Sequence, residues 1–72
     1  MRVKYIIGPY GPIIFDECYS HVDMARGMRI TSAGFCFLED GKFRCYGKSL
    51  SLGIESRPEE DSEFLNKMFN SD

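Results

Sequence analysis

Apolar positions along the chain keep two periods, and each period marks its own elements. From Arg2 to Ile7 the apolar residues are β-branched or aromatic (Val3, Tyr5, Ile6, Ile7). The turn-forming run Gly8-Pro9-Tyr10-Gly11-Pro12 comes next, and then a second apolar run, Ile13-Ile14-Phe15. This pattern predicts a β-hairpin whose loop is about five residues long. Pro12 has no N–H to give to a ladder, so it belongs at the start of the second strand or on a sheet edge.

A longer strand is predicted from Ile30 to Leu38, then Glu39-Asp40-Gly41-Lys42, then a strand from Phe43 to about Ser49. Asp-Gly between apolar runs favours a type I′ turn, because both central residues need positive φ. If Asp40 and Gly41 form that turn, it sets the register: Glu39 faces Lys42, Leu38 faces Phe43, Phe37 faces Arg44, Cys36 faces Cys45, Phe35 faces Tyr46 and Gly34 faces Gly47. One face of the hairpin then carries Leu38, Phe43, Cys36 and Cys45 and reads as the core side. The other carries Phe35, Phe37 and Tyr46 among Lys42, Arg44 and Lys48, an aromatic surface rimmed by cations that is open either to the C-terminal segment or to a partner.

The helical period appears twice. Ser20 opens Ser-His-Val-Asp, where its hydroxyl can accept the N–H of Asp23, and Gly27 closes a helix of about two turns whose core-facing positions are Val22, Ala25 and Met28. Ser56-Arg57-Pro58-Glu59 reads as a capping box with Pro in the first turn and acids at the positive dipole end. Phe64, Leu65, Met68 and Phe69 then make a stripe that can bury against a sheet, and Asn70-Ser71-Asp72 are expected to fray. Together these elements predict an α+β fold. Residues 1–72 are expected to form a single two-layer domain, with a largely antiparallel four-stranded sheet and two helices in ββαββα order.

Composition narrows the function classes. A chain of 72 residues buries only about 60% of its unfolded surface, and with 43% hydrophobic residues, six Phe and four Tyr it can build one core. A net charge of −2, with nine scattered Lys and Arg, disfavours duplex DNA and anionic membranes, where binding draws on counterion release by clustered cations. The N-terminal apolar run is too short for a signal peptide and no stretch approaches a membrane span, so a cytoplasmic protein with no membrane partner is expected. Three cysteines without a Cys-x-x-Cys pattern do not make a disulfide framework. Cys36 and Cys45, as cross-strand neighbours about 4.5–5.5 Å apart at Cα, fall within disulfide reach. In a reducing cytosol they are expected to remain buried thiols.

Gly47-Lys48-Ser49 invites comparison with a phosphate-binding loop. Such a loop needs a glycine five residues before that Gly-Lys-Ser, a position held here by Lys42, and it must open a helix. The residues on either side alternate as a strand does instead. Ser49 and Ser51 are expected to point outward and Leu50 and Leu52 inward. His21, with Cys18 and Asp23 nearby, falls short of a tetrahedral zinc set and reads as a partly exposed helix-start residue. Ser32, Ser49, Ser51 and Ser56 lie in no nucleophile motif, and Glu55 and Glu59 to Asp61 are accounted for by the helix dipole. No cofactor is implied.

In "SHVDMARGM", "SAGF" and "GKSLSLGIESRPEED" the chain resembles a group of small bacterial and phage-borne proteins. They share a Ser-His-x-Asp-x-Ala helix start, a Ser-Ala-Gly-Phe strand and a Gly-x-Ser-x-Ser-Leu-Gly-x-x-Ser-Arg-Pro-Glu-Glu-Asp segment. The resemblance spans Ser20 to Asp61, implies a bacterial or prophage origin, and carries over no catalytic residue.

The leading functional expectation is a non-enzymatic protein-interaction or regulatory module that binds a protein partner or itself. Its ligand surface would lie around His21, Asp23, Arg26, Ser49, Ser51 and Arg57. The alternative is a single-stranded nucleic-acid accessory protein that stacks bases on Phe35, Phe37 and Tyr46 and holds phosphates with Arg44 and Lys48. A second alternative is a small enzyme or metal site around His21.

Overall fold

Two hairpins, joined through a shared strand pairing, make the sheet. The computed structural model describes residues 2–69, so the expected fraying of Asn70-Ser71-Asp72 lies outside the described residues. Strands β1 (Arg2–Gly8) and β2 (Gly11–Phe15) pair from Lys4 opposite Phe15 to Gly8 opposite Gly11. The loop is therefore Pro9 and Tyr10 alone, shorter than the five residues expected. The ladder can run this far toward the tip because Gly11 takes a φ of 104°, which a side chain would resist.

Strands β3 (Ser32–Glu39) and β4 (Lys42–Tyr46) form the predicted Asp-Gly hairpin. Asp40 and Gly41 have φ of 53° and 77°, and five pairs, from Glu39–Lys42 to Phe35–Tyr46, hold the expected register. The sixth pair, Gly34–Gly47, is not a ladder pair. Gly47 turns the chain away at a φ of 80°, so β4 ends at Tyr46 rather than near Ser49. Beyond it the chain forms a separate small hairpin of β5 (Lys48–Ser49) and β6 (Ile54–Glu55).

β1 also pairs with β3, Arg2 opposite Phe37 through Ile7 opposite Ser32, which gives a fully antiparallel sheet of order β2-β1-β3-β4. The protein is thus a small α+β domain with a four-stranded antiparallel sheet and two helices. The β5–β6 hairpin is an insertion into the expected ββαββα order. Pro12 sits on the edge strand β2, where its missing N–H costs no ladder bond.

Alternation along β1 sends Tyr5 and Ile7 to one face and Ile6 to the other, and each face has its own core. The first packs Tyr5, Ile7, Cys36, Cys45 and Leu65 with Phe43 and Phe64, under helix α2 (Pro58–Phe69). The second packs Ile6, Phe15, Ala33, Ala25 and Ile30 with Met28, Leu52 and Ile54, under helix α1 (His21–Ala25) and the β5–β6 hairpin. Cover on both faces replaces the expected two layers. α1 is too short to bury more than one side, so Ala25 and Met28 pack inward while Val22 stays exposed. Leu38 is 60% exposed because it sits near the hairpin tip, and Met68 and Phe69 are about half exposed, so the α2 stripe narrows to Phe64 and Leu65.

Both helix starts use side-chain acceptors. Ser20 Oγ accepts the N–H of Asp23 at 3.1 Å, as its spacing implies. Pro58 is the first residue of α2, but Ser56 is not its cap: Ser56 Oγ donates to the carbonyl of Gly47 at 2.6 Å. Asp61 takes that part, reaching back to the N–H of Arg57 at 2.9 Å. Farther along α2, Ser62 Oγ accepts from Cys45 N at 2.8 Å. Asn66 accepts from Phe43 N at 2.7 Å and donates to Phe43 O at 3.1 Å. These side chains occupy the outer edge of β4, which would otherwise offer a row of unpaired groups to another strand.

Candidate functional site

On the α1 face of the sheet, register places two cross-strand rows side by side: Arg2, Phe37 and Arg44, then Lys4, Phe35 and Tyr46. Phe35 and Tyr46 stack with ring centroids 5.8 Å apart, and Phe37 meets Tyr46 edge-on at 5.8 Å. The Arg2 guanidinium lies 4.7 Å over the Phe35 ring. Because α2 packs on the opposite face, the C-terminal helix does not cover these rings. Arg2 pairs with Glu17 and Arg44 with Glu39, each at 3.3 Å; both pairs are exposed and weak, so they can exchange for an incoming anion.

His21 joins this surface to the core. It is 4% exposed, not the surface residue its helix-start position suggests, and its Nε2 donates to the carbonyl of Gly34 at 2.8 Å. Its ring meets Phe15 and Phe35 edge-on at 5.6 and 5.7 Å. Burial pushes the imidazole pKa below its usual value and Lys4 adds to the effect, against the opposing Gly34 bond. The ring is therefore neutral at pH 7. With Nε2–H committed to a carbonyl, Nδ1 is an acceptor, and it has no hydrogen-bond partner among the described residues. Gly34, whose carbonyl holds the ring, has no room for a side chain: a Cβ there would lie 2.5 Å from the Tyr46 carbonyl oxygen.

His21 and Phe35 line a cavity of about 450 Å³ together with Lys4 and Lys48, and Ser20, Leu50 and Ser51 complete its wall. Lys4 Nζ donates to the Tyr19 carbonyl at 2.8 Å, a neutral partner, and no ion pair engages it among the described residues. Among the described residues, no carboxylate lines the cavity. Glu55 stands opposite Lys48 in register, yet no ion pair joins them among the described residues.

The structure brings together only part of the expected ligand surface. His21 and Ser51 share the cavity, and Ser49 lies behind Ser51 with the two hydroxyls 3.4 Å apart. Ser49 is buried and accepts the N–H of Leu52, while Leu50 is 84% exposed, which reverses the expected orientation of both. The reason is local: Gly53 N bonds back to Ser49 O at 2.9 Å, so residues 50–53 form a turn and lose the strand period. Leu52 does pack inward. Asp23 and Arg26 are exposed outside the cavity, and Arg57 belongs to the α2 side, 3.7 Å from Glu60. Gly47-Lys48-Ser49 opens no helix, although its lysine lines the cavity.

The polar residue that sequence reasoning missed is Asp61. Its carboxylate is 1% exposed and accepts from Tyr5 Oη, Ser32 Oγ at 3.0 Å and Arg57 N at 2.9 Å. Burial first, and then the bond to Asp61, push the Tyr5 phenol well above its usual pKa, which keeps it a donor. A signal is present in the chain, since positions 61, 64, 65 and 68 share one helix face and Asp61 starts that row. Cys36 and Cys45 are buried free thiols at paired positions, and Cys18 is free and exposed. Among the described residues, no three of His, Cys, Asp and Glu gather as a metal site, and no helix is long and apolar enough to cross a membrane. No family model matches the chain, nor does any curated protein or solved structure.

Proposed function

We propose that the protein is a small non-enzymatic binding module, and that it lays a single-stranded nucleic acid across the β1–β3–β4 face. The supporting observation is the arrangement of that face: Phe35, Phe37 and Tyr46 interleaved in register with Arg2, Lys4 and Arg44, uncovered by α2 and continuing to Lys48. Rings accept bases of any identity and the cations track the backbone, the combination that single-strand platforms use. Net charge conceals this arrangement, because Glu59, Glu60, Asp61 and Glu63 are concentrated on α2 against Lys67 alone, on the other side of the sheet. The reading is non-enzymatic because His21 Nε2 is held by a carbonyl and no nucleophile is paired with the ring among the described residues. A cytoplasmic setting, bacterial or prophage-borne, fits the reading.

Fluorescence anisotropy with labelled single-stranded DNA and RNA at low salt tests it. Binding should weaken steadily as salt rises, and Tyr46→Ala should reduce affinity roughly tenfold. An absence of binding at low salt would overturn it in favour of a protein partner or self-association. Light scattering across a concentration series would then identify the second of these by a dimer mass.

A further inference from the structure

The His21 cavity lies at the end of the aromatic rows, and its chemistry is narrower than theirs. It is lined by Lys4 and Lys48, with no carboxylate among the described residues, by Phe35 as an aromatic wall, and by His21, whose Nδ1 can only accept. Its volume of about 450 Å³ falls within the range of small-molecule sites, roughly 300–1,000 Å³. Lys4 is anchored by the Tyr19 carbonyl, and the His21 ring is fixed between Phe15 and Phe35, so this side of the cavity is pre-formed.

We infer that this cavity seats one nucleotide, with its phosphate between Lys4 and Lys48, its base against Phe35, and an N–H or O–H of the base or sugar donated to His21 Nδ1. Each group answers one part of a nucleotide. An anion satisfies the two ammonium charges, a planar ring covers the apolar wall of Phe35 and Leu50, and a donor completes the imidazole. A plain carboxylate would use the lysines and leave the other two unanswered, and inorganic phosphate, even with a P–OH donating to His21, would leave the apolar wall of Phe35 and Leu50 uncovered. The imidazole acceptor also gives selectivity, because a ligand without a donor at that place must strand Nδ1 against an apolar or acceptor group. The inference rests on the nucleic-acid reading, since it makes the cavity the subsite where one unit of the strand is held individually.

The test uses the intact chain and four probes: uridine and adenosine 5′-monophosphates, uridine, and inorganic phosphate, titrated at millimolar concentrations and monitored by amide NMR shifts. The monophosphates should give saturable shifts around Gly34, Phe35 and residues 48–51, with uridine and inorganic phosphate each weaker. Lys48→Gln and Leu50→Asp alter exposed positions and should each weaken monophosphate binding by about three- to tenfold, whereas Lys67→Gln on α2, with the same charge change as Lys48→Gln, should not. Oligonucleotides binding without any mononucleotide shift at the cavity would overturn the subsite and leave the sheet-face reading intact. Mononucleotides binding without oligonucleotides would keep the site and remove the strand platform. Equal binding of inorganic phosphate and monophosphates would overturn the role given to Phe35 and His21.

Discussion

Asp61 and His21 are buried to a similar degree, 1% and 4% exposed, on opposite faces of one sheet. Each is the polar group through which a helix meets the strands, and they differ in completeness. Asp61 collects the Tyr5 hydroxyl, the Ser32 hydroxyl and the Arg57 amide, so its acceptors are filled by its own chain. His21 gives one nitrogen to Gly34 and leaves the other as an acceptor on a ring that lines a cavity between two lysines. A buried polar group that its own fold satisfies is architecture. One that the fold satisfies only halfway, at an accessible place, is where a ligand has something to add.

The largest expected effect comes from breaking the complete side. Asp61→Ala strands Tyr5 Oη and Ser32 Oγ in the core, takes the helix-start acceptor from the part-buried Arg57 amide, and should cost about 3–5 kcal/mol, enough to unfold a domain of this size. Urea denaturation checks it, and Asp61→Asn, which keeps one carbonyl acceptor, should recover part of the loss. Second is Gly34→Ala, which drives a methyl toward the Tyr46 carbonyl and so shifts the strand whose Gly34 carbonyl holds His21. About 1–3 kcal/mol is expected, with matching amide shifts at β4.

The incomplete side should respond to pH. Because the folded-state pKa of His21 is depressed, the neutral ring is favoured by folding, and that contribution is present above the unfolded value of 6.5 and lost as pH falls below it. Melting temperature should therefore fall from about pH 7 to about pH 5, and less steeply in His21→Gln. A parallel slope in the variant would assign the acid sensitivity to other groups. The smallest effect is expected at the cavity wall. Lys48→Gln should change stability by less than about 0.5 kcal/mol in thermal melts while reducing anion binding, since this exposed lysine makes no ion pair among the described residues.

The legible parts of the fold are those settled within a few residues. Asp40-Gly41 defines its hairpin and five cross-strand pairs, and Ser20 defines its cap, because turn and cap geometry depend on neighbours in the chain. The burial of Cys36 and Cys45 is legible for the same reason, since strand alternation puts them on one face. Ser49 and Leu50 are misleading because an alternating sequence looks like a strand until a positive-φ glycine upstream and a backbone bond from Gly53 turn it into a loop. In the sequence His21 resembles a surface residue and Asp61 a dipole acid. Only the strands packed against them decide otherwise.

The sequence by itself determined the α+β class, the Asp-Gly hairpin with its register, the start of α1 and the separation of an aromatic, cation-bearing strand face from a thiol-bearing one. Tertiary structure alone decided which helix covers which face, that α2 leaves the aromatic rows open, that Asp61 is sealed in, and that Lys4, His21 and Lys48 meet around one cavity. The division has a physical cause. Turn angles, caps and strand alternation are set by interactions over a few residues, whereas pairing β1 with β3 brings positions about thirty residues apart into contact, and whether a polar group is buried or free depends on what then packs against it.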